Sequence, residues 1–480
     1  MISTDRAGRD YVRVPAGEWA ATLVPTETNT YWGDSVDTFA KTLDSLPSGI
    51  LAFLFADNTI RCTSRMLQLL ERGIAFVLLD PQLAESTINR LIDIYRPGLV
   101  LLPEEGVAGR CLSGRSGHLS DSGHWIAVEH GPAVHPDLAV LLTTSGTTGN
   151  PKLVRLSTSN IRTNAKQIVA SLGITPEDRA VTALPSFYSF GLSIITSHVI
   201  AGSPIVVSGR GVLEKEFWSA LREFDVSFMA GVPRTYSMLK RLGFDQMDLP
   251  RLRALTQAGG RLDPEAVSTF HRIMCERGGQ FFVMYGQTEA SPRMACLPSD
   301  DLPEKSGSVG PALSGGRLEI VGADGSPQAS GGIGEVAYTG PNVMMGYAES
   351  REDLALGDVH GPDLLTGDLG YLDRDGYLFL TGRIKRITKL AGVRMSLDDI
   401  ESLATSMANC PTVAVDGGND DVCIFVESRD MGVPSRIRRG LANALRVPPG
   451  LLDIRTTPTL PVLNSGKVDY ADLSRRAEKK

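Results

Sequence analysis

The stretch Thr143-Thr144-Ser145-Gly146-Thr147-Thr148-Gly149-Asn150-Pro151-Lys152 gathers hydroxyls, glycines and a lysine directly after the apolar run 138–142. Glycine lets a backbone approach a bulky anion and reach φ > 0. Amide N–H groups and Ser/Thr hydroxyls are donors for phosphate oxygens, and Lys152 adds a cation at the far end. Composition alone also fits a polar connecting loop. It does not fit the P-loop pattern, in which Gly-Lys-Ser/Thr enters a helix, because Asn150-Pro151 precede the lysine and Leu153 follows it.

Other segments could do related chemistry. Tyr285-Gly286-Gln287-Thr288-Glu289 places an aromatic ring, a hydroxyl and a carboxylate within one short turn. A carboxylate beside a phosphate loop is a natural Mg²⁺ ligand. Gly334-Glu335, Gly340-Pro341-Asn342-Val343-Met344-Met345-Gly346-Tyr347, Thr366-Gly367-Asp368, Gly382-Arg383, Lys389-Leu390-Ala391-Gly392-Val393-Arg394 and Asn464-Ser465-Gly466-Lys467 follow in that order. Asn-Ser-Gly is turn chemistry that holds Lys467 out on a loop. Taken singly, each has a plain structural alternative: a capping aspartate, a surface arginine, a solvated lysine.

Taken together, these segments resemble the adenylate-forming superfamily of acyl-CoA synthetases, luciferases and peptide-synthetase adenylation domains. The resemblance runs over about two thirds of the chain, from Thr143 to Lys467. It implies ATP, Mg²⁺ and a carboxylic acid as reactants, with coenzyme A or the phosphopantetheine of an acyl carrier protein as acceptor. It implies that Thr144, Ser145, Gly146, Thr147, Thr148, Gly149 and Lys152 hold phosphates, with Thr288 beside them and Glu289 on the metal. Tyr285 and Gly286, with the backbone of Gly259-Gly260, are then expected around adenine. Arg261 follows where a small or acidic residue is expected, so its role stays open. Asp368 is expected on the ribose hydroxyls and Arg383 on the ribose or α-phosphate. Lys467 would bridge the acid carboxylate and the α-phosphate. Lys385 stands at the interdomain hinge position, and Gly392 in the loop that leaves a slot for a pantetheine arm.

For the acid itself, the resemblance points to Tyr188, Ser189, Gly231, Val232 and Ser291. Members that activate amino acids carry an aspartate at the place of Tyr188. None stands there, and a buried ammonium without a partner is costly, so a standard α-amino acid is disfavoured. The expected activity is formation of acyl-AMP and transfer to a pantetheine thiol. An amine acceptor, an unusual oxyacid substrate and a nucleotide-binding pseudoenzyme remain as alternatives.

Elements must exist to position these groups. Apolar runs at 139–143, 180–183, 205–207, 227–230, 254–257 and 280–284 read as strands. Amphipathic stretches at 158–172, 191–201, 214–224, 234–242 and 264–277 read as helices between them. Such alternation predicts a parallel, helix-covered sheet, whose ligands sit past the carboxyl ends of the strands. Before these, 50–55, 75–79 and 99–102 read as strands, 64–72 and 83–95 as helices, and 106–131 as an irregular connection. From about residue 310, Gly- and Asp-Gly-punctuated runs suggest antiparallel hairpins. Residues 385–480 read as a small α/β tail: helices 397–408 and 435–445, strands near 412–415 and 422–426. The expected fold is α/β: a large N-terminal domain (1–384) of mostly parallel sheets with a β-rich subdomain, and a small mobile C-terminal domain (385–480).

Composition bounds the rest. At 480 residues the chain exceeds one typical core. A formal net charge of −7 argues against nonspecific nucleic-acid binding. Cys62, Cys111, Cys275, Cys296, Cys410 and Cys423 lack metal-ligand spacing and read as buried thiols. No secretory signal or membrane-spanning run is apparent. The expectation is a soluble, cytoplasmic monomer or homodimer with no membrane or nucleic-acid partner.

Overall fold

A computed structural model describes residues 2–4, 10–14, 17, 19–25, 36–103, 108–120, 124–143, 152–391, 393–418, 420–430 and 432–478. The chain divides into two compact units. One comprises Met1–Arg317 and Thr339–Leu364, the other Leu318–Tyr338 and Leu365–Lys480.

Two sheets build the first unit. In one, the strands Leu138–Thr143, Ala75–Leu79, Leu51–Phe55 and Leu99–Leu101 run parallel side by side. They are apolar throughout because both faces are covered. Ala52 and Leu54 face a core shared with Leu192, Ile195, Ile205 and Val207. Phe53 and Phe55 face Ile88, Leu91 and Ile92 of helix Glu85–Tyr95. The edges are antiparallel: Leu153–Ser157 and then Gly346–Ala348 on one side, Trp125–Ala127 and Gly117–Leu119 on the other.

The second, nine-stranded sheet carries the parallel run Ile205–Val207, Ala180–Val181, Phe228–Gly231, Ala254–Gln257 and Gln280–Gly286. It closes with the antiparallel strand Arg293–Leu297. Helix Thr158–Leu172 begins where predicted because Ser157 and Asn160 form a reciprocal capping box, and it ends at Gly173 in the left-handed conformation.

The other unit is α/β as well. Strands Arg317–Val321, Gly334–Thr339, Asp363–Leu372 and Leu378–Arg383 form a four-stranded sheet. The hairpin Ile387–Leu390/Val393–Ser396 follows. Strands Thr412–Gly418, Asp421–Glu427 and Leu452–Thr457 form a second sheet, packed against helices Leu397–Ala408 and Val433–Leu445 through Ile400, Ala404, Ile424, Ile437 and Leu441.

Several elements depart from the sequence expectation. Residues 106–131 are not simply irregular: helix Ala108–Cys111 and two short strands form there, the first strand exposed enough to need no apolar signature. Leu153–Ser157 is a buried strand despite its central Arg155. The tail gains strand Leu452–Thr457 and helix Tyr470–Glu478. Cys275 is exposed and Cys410 half-buried, so only Cys62, Cys111, Cys296 and Cys423 are buried thiols. No helix among the described residues is long and apolar enough to cross a membrane.

The entry to the parallel run is stapled by Asp178. It accepts hydrogen bonds from Thr175 N–H at 2.8 Å, Ser227 Oγ at 2.8 Å and Arg253 Nε at 2.5 Å. Burial alone would raise this carboxyl, but the bonds from Arg253, Thr175 and Ser227 outweigh burial and hold it at about 2. A depressed carboxyl stabilises the fold above its ordinary value of 3.8, and that contribution is lost as pH falls toward 2. Asp178→Asn should cost about 3 kcal/mol at neutral pH, measured by urea unfolding. It should also flatten the acid limb of the stability profile.

Candidate active site

Three neighbouring parallel strands end at Gly231, Gln257 and Gly286. Residues expected to bind ligand follow each end. Val232 caps helix Pro233–Arg241. Gly259 and Gly260 follow Gln257, whose side-chain amide donates to the Gly260 carbonyl at 2.7 Å. Tyr285 is buried at the end of its strand. At Gly286 the returning chain passes so close that a Cβ would lie 1.8 Å from the Pro292 carbonyl oxygen. Only glycine fits, and the turn Thr288–Ala290 is thereby held tight against strand Arg293–Leu297.

That turn brings distant residues together. Thr288 Oγ1 lies 3.2 Å from Oγ of Ser189, the first residue of helix Ser189–Ile200. Glu289 Oε1 accepts from the Tyr347 hydroxyl at 2.9 Å. Burial first, and then the Glu289 charge, push the Tyr347 phenol above its ordinary range, so it stays protonated and donates. Lys152 Nζ sits 4.1 Å from the centre of the Tyr347 ring and 3.3 Å from Glu349 Oε1. The Lys152–Glu349 pair is largely exposed and adds little stability; the cation over the ring fixes where the lysine points.

Tyr347 is itself anchored. Arg155, fully buried, donates Nε to the Tyr347 carbonyl at 3.2 Å, Nη2 to Met345 at 2.9 Å, and Nη1 to Leu356 at 2.6 Å and Gly357 at 3.2 Å. A Cβ on Gly346 would lie 2.9 Å from Arg155 Nη2, and Gly346 has φ +123°. Glycine there lets the guanidinium reach past the strand. The far end of the turn is clamped too. Asn342 Nδ2 donates to the Ala290 carbonyl at 2.6 Å and to Arg293 at 3.0 Å, and Ser291 Oγ donates to the Asn342 carbonyl at 2.8 Å.

Behind the strand ends lies a small cleft of about 20 Å³, room for about one water. Phe190, Ser193 and His198 of helix Ser189–Ile200 line it, with Met284 and Arg293. Tyr188 precedes that helix, its ring edge-on to Phe190 at 6.3 Å. The cleft lining holds no carboxylate.

In the other unit, Asp368 is buried and accepts from Arg383 Nε at 2.5 Å across paired strands. Thr366 Oγ1 accepts from Asp368 N–H at 3.1 Å, and Glu335 Oε1 from Gly367 N–H at 3.0 Å, so two separate motifs meet there. Lys467 closes a loop in which Leu463 N–H donates to the Lys467 carbonyl at 2.8 Å. Lys385 is exposed, while its neighbour Arg386 is tied to Asp398 at 2.5 Å and Glu401 at 2.8 Å. Thr144, Ser145, Gly146, Thr147, Thr148, Gly149 and Gly392 lie outside the described residues.

For a divalent metal, Mg²⁺ keeps most of its waters and takes one or two carboxylates plus phosphate oxygens. Glu289 fits that need; no group of three His, Cys, Asp or Glu side chains able to hold an ion occurs among the described residues. Sequence reasoning missed Arg155, Ser193, His198 and Arg293. The available signal was a charge inside an apolar segment: Arg155 within 153–157, and Arg293 at the head of 293–297.

The family model of the AMP-binding enzyme matches residues 33–348. An oxalate–CoA ligase of Arabidopsis thaliana is 31% identical over 275 residues, 56% of this chain and 52% of that protein. An indoleacetate–CoA ligase of Aromatoleum aromaticum is 32% identical over 62% of this chain and 57% of its own length. The chain is thus matched to little more than half the length of these relatives. The O-succinylbenzoate coenzyme A synthetase structure of Bacillus subtilis, in complex with AMP, superposes with a TM-score of 0.72 at 22% identity, covering 95% of both chains. It shows the same fold.

Arg155→Leu should remove the donors of four carbonyls at once. A loss of about 3 kcal/mol or more is expected, read by denaturant unfolding.

Proposed function

Because the chain belongs to the AMP-binding enzyme family, we propose that it is an AMP-forming acid–thiol ligase. The observation that carries this reading is the cluster Ser189, Thr288, Glu289, Tyr347 and Lys152 at the carboxyl ends of a parallel sheet. Hydroxyls, one carboxylate and one cation converge there, which suits a nucleoside triphosphate and its metal.

In the first step a carboxylate oxygen attacks the α-phosphorus of ATP. The new P–O bond forms as the bridge to the β-phosphate breaks, giving acyl-AMP and pyrophosphate. Thr288, Lys152 and the 144–149 loop position the phosphates. Asp368 accepts from the ribose hydroxyls, with Arg383 beside it. Lys467 neutralises the approach of two anions and the charge that grows at phosphorus. Glu289, oriented by Tyr347, would hold Mg²⁺, which supplies charge neutralisation on the phosphates. In the second step a thiol sulfur attacks the acyl carbon; the C–S bond forms and AMP leaves with the oxygen. Relatives named as CoA ligases favour coenzyme A as that thiol. Rotation of the C-terminal part about Lys385 would exchange Lys467 for the Gly392 loop between steps. Tyr188 stands where an aspartate would pair an ammonium, which disfavours an α-amino acid, whose ammonium would lie unpaired.

Lys467→Ala should slow acyl-AMP formation by about 10²–10³-fold and spare thioester formation from supplied acyl-AMP. Separate assays of the two half-reactions decide, and equal loss of both would contradict the two-conformation reading. Glu289→Gln should keep the fold by circular dichroism and raise the magnesium concentration needed for half-maximal pyrophosphate exchange by about tenfold or more. An unchanged magnesium profile would remove Glu289 from the metal's surroundings.

A further inference from the structure

Lys385 and Lys467 both lie in the unit that carries Asp368, far apart in sequence. The side chains that follow them meet. Arg386, next to Lys385, sets its guanidinium 4.2 Å from the centre of the Tyr470 ring, and Tyr470 stands three residues after Lys467. Arg386 is also gripped from the far side. Its Nε donates to Asp398 Oδ1 at 2.5 Å and its Nη2 to Glu401 Oε2 at 2.8 Å, both on helix Leu397–Ala408. A guanidinium forked between two carboxylates has little freedom to turn.

Glu401 closes the cluster. Its Oε2 also accepts from Ala414 N–H at 3.1 Å, which ties it to strand Thr412–Gly418. Its Oε1 accepts from the Tyr470 hydroxyl at 3.3 Å. Burial first, and then the Glu401 charge, lift the Tyr470 phenol above its ordinary range, so it stays protonated and donates. Burial pushes the Glu401 carboxyl up to about 7 against the pull of Arg386. At about pH 8 it is ionised and the pair with Arg386 is formed. The segment just past Lys385, the helix, the strand and Tyr470 are thus joined at one point.

The Lys467 loop is closed on itself. Leu463 N–H donates to the Lys467 carbonyl and Gly466 N–H to the Leu463 carbonyl, each at 2.8 Å, and Asp469 N–H donates to the Pro461 carbonyl at 3.0 Å. These bonds fix the shape of the loop. They do not fix its direction relative to the rest of the unit, which depends on how its exit is seated. Helix Tyr470–Glu478 begins at that exit, and its Leu473 and Ala477 bury in a core with Val413 and Phe425. Tyr470 packs at the margin of the same core, so its ring holds the first turn of the helix between that core and Arg386. A cation over a partly desolvated ring is an attractive contact with a preferred geometry.

We propose that Tyr470, clamped by Arg386 and Glu401, is a positioning residue for Lys467: it locks the lysine loop to the segment just past Lys385, so that rotation there carries Lys467 to the α-phosphate as one rigid piece. This inference rests on the adenylating reading above. Tyr470 touches no reactant on that reading and acts only through the lysine. A charge-stabilising group displaced by about an ångström forfeits much of its effect, so the clamp serves acyl-AMP formation. Thioester formation does not use Lys467 and is indifferent to where its loop points.

The two half-reactions, assayed separately at about pH 8, test this. The acid is whichever of oxalate, malonate, butyrate, benzoate and indoleacetate gives the fastest pyrophosphate exchange, and the thiol is coenzyme A. Tyr470→Leu keeps an apolar side chain on the core and removes the ring. It should slow acyl-AMP formation about 10–10²-fold, mostly in kcat, and change thioester formation from supplied acyl-AMP less than about threefold. The retained half-reaction shows that the variant is folded. Tyr470→Phe keeps the ring over the guanidinium and should stay within about threefold of wild type in both steps. Arg386→Gln leaves the packing of Tyr470 in place and should show the same split as Tyr470→Leu. In a Lys467→Ala background, Tyr470→Leu should slow the residual adenylation no further, because no lysine is left to position. Wild-type adenylation in Tyr470→Leu or in Arg386→Gln overturns the inference and leaves the ligase reading standing. So does equal loss of both half-reactions, which would make Tyr470 merely structural, or a further loss of about tenfold in the Lys467→Ala background. Exchange with no acid of the panel defeats the adenylating reading, and undiminished adenylation in Lys467→Ala defeats the lysine's part in it; the inference falls with either.

Discussion

A guanidinium removed from water must find acceptors for its N–H groups, and Arg155 finds them in the carbonyls of Met345, Tyr347, Leu356 and Gly357. This constraint ties the 345–357 segment to strand Leu153–Ser157. The segment carries Tyr347, Tyr347 orients Glu289, and Lys152 at the head of the same strand rests on the Tyr347 ring. One buried cation therefore sets the register of three groups that stand far apart in the sequence. The turn after Gly286 completes the arrangement from the other side, where Asn342 satisfies the Ala290 and Arg293 carbonyls. Because packed arrangements of this kind admit little gradual deformation, the carboxylate and hydroxyl are held in place before any ligand arrives.

Such preorganisation suits a reaction in which two anions must meet. The carboxylate and the triphosphate repel each other, and charge accumulates at phosphorus as pyrophosphate departs. On the proposed reading, cations and donors already in position offset that repulsion without reorganising at the moment of reaction. On the same reading Asp368 and Arg383, paired across adjacent strands of the other unit, would be preorganised for a ribose. Relatives named for oxalate and for indoleacetate differ widely in their acids.

Much of the architecture was legible because it follows from local pattern. The strand 254–257 and the helix 158–172 stand where apolar runs, amphipathic spacing and the Ser157 cap put them. Most element ends moved by a residue or two, as expected where caps and turns compete; the helix expected at 64–72 begins four residues earlier, at Ile60, and the strand expected at 412–415 runs on to Gly418. What escaped was decided by tertiary contact. Leu153–Ser157 follows a glycine-rich loop and contains an arginine, so it reads as polar; it is a strand because that arginine is satisfied by a segment nearly two hundred residues away. Leu452–Thr457 alternates apolar with Asp453 and Arg455 and was passed over; its parallel partner Asp421–Glu427 makes it a strand. The motif residues were read through family resemblance. Arg293 and His198 belong to no motif, and only the structure shows that Arg293 Nε and His198 Nε2 are buried without hydrogen-bond partners.

The central claim is that the acid is activated by direct attack of its carboxylate on the α-phosphorus. An acid that supports turnover, labelled with ¹⁸O in the activated carboxyl group, tests this atom by atom. The account predicts that one labelled oxygen per turnover appears in the phosphate of AMP, because the acyl C–O bond breaks when the thiol attacks. Label in inorganic phosphate accompanied by ADP, or AMP free of label, would contradict it.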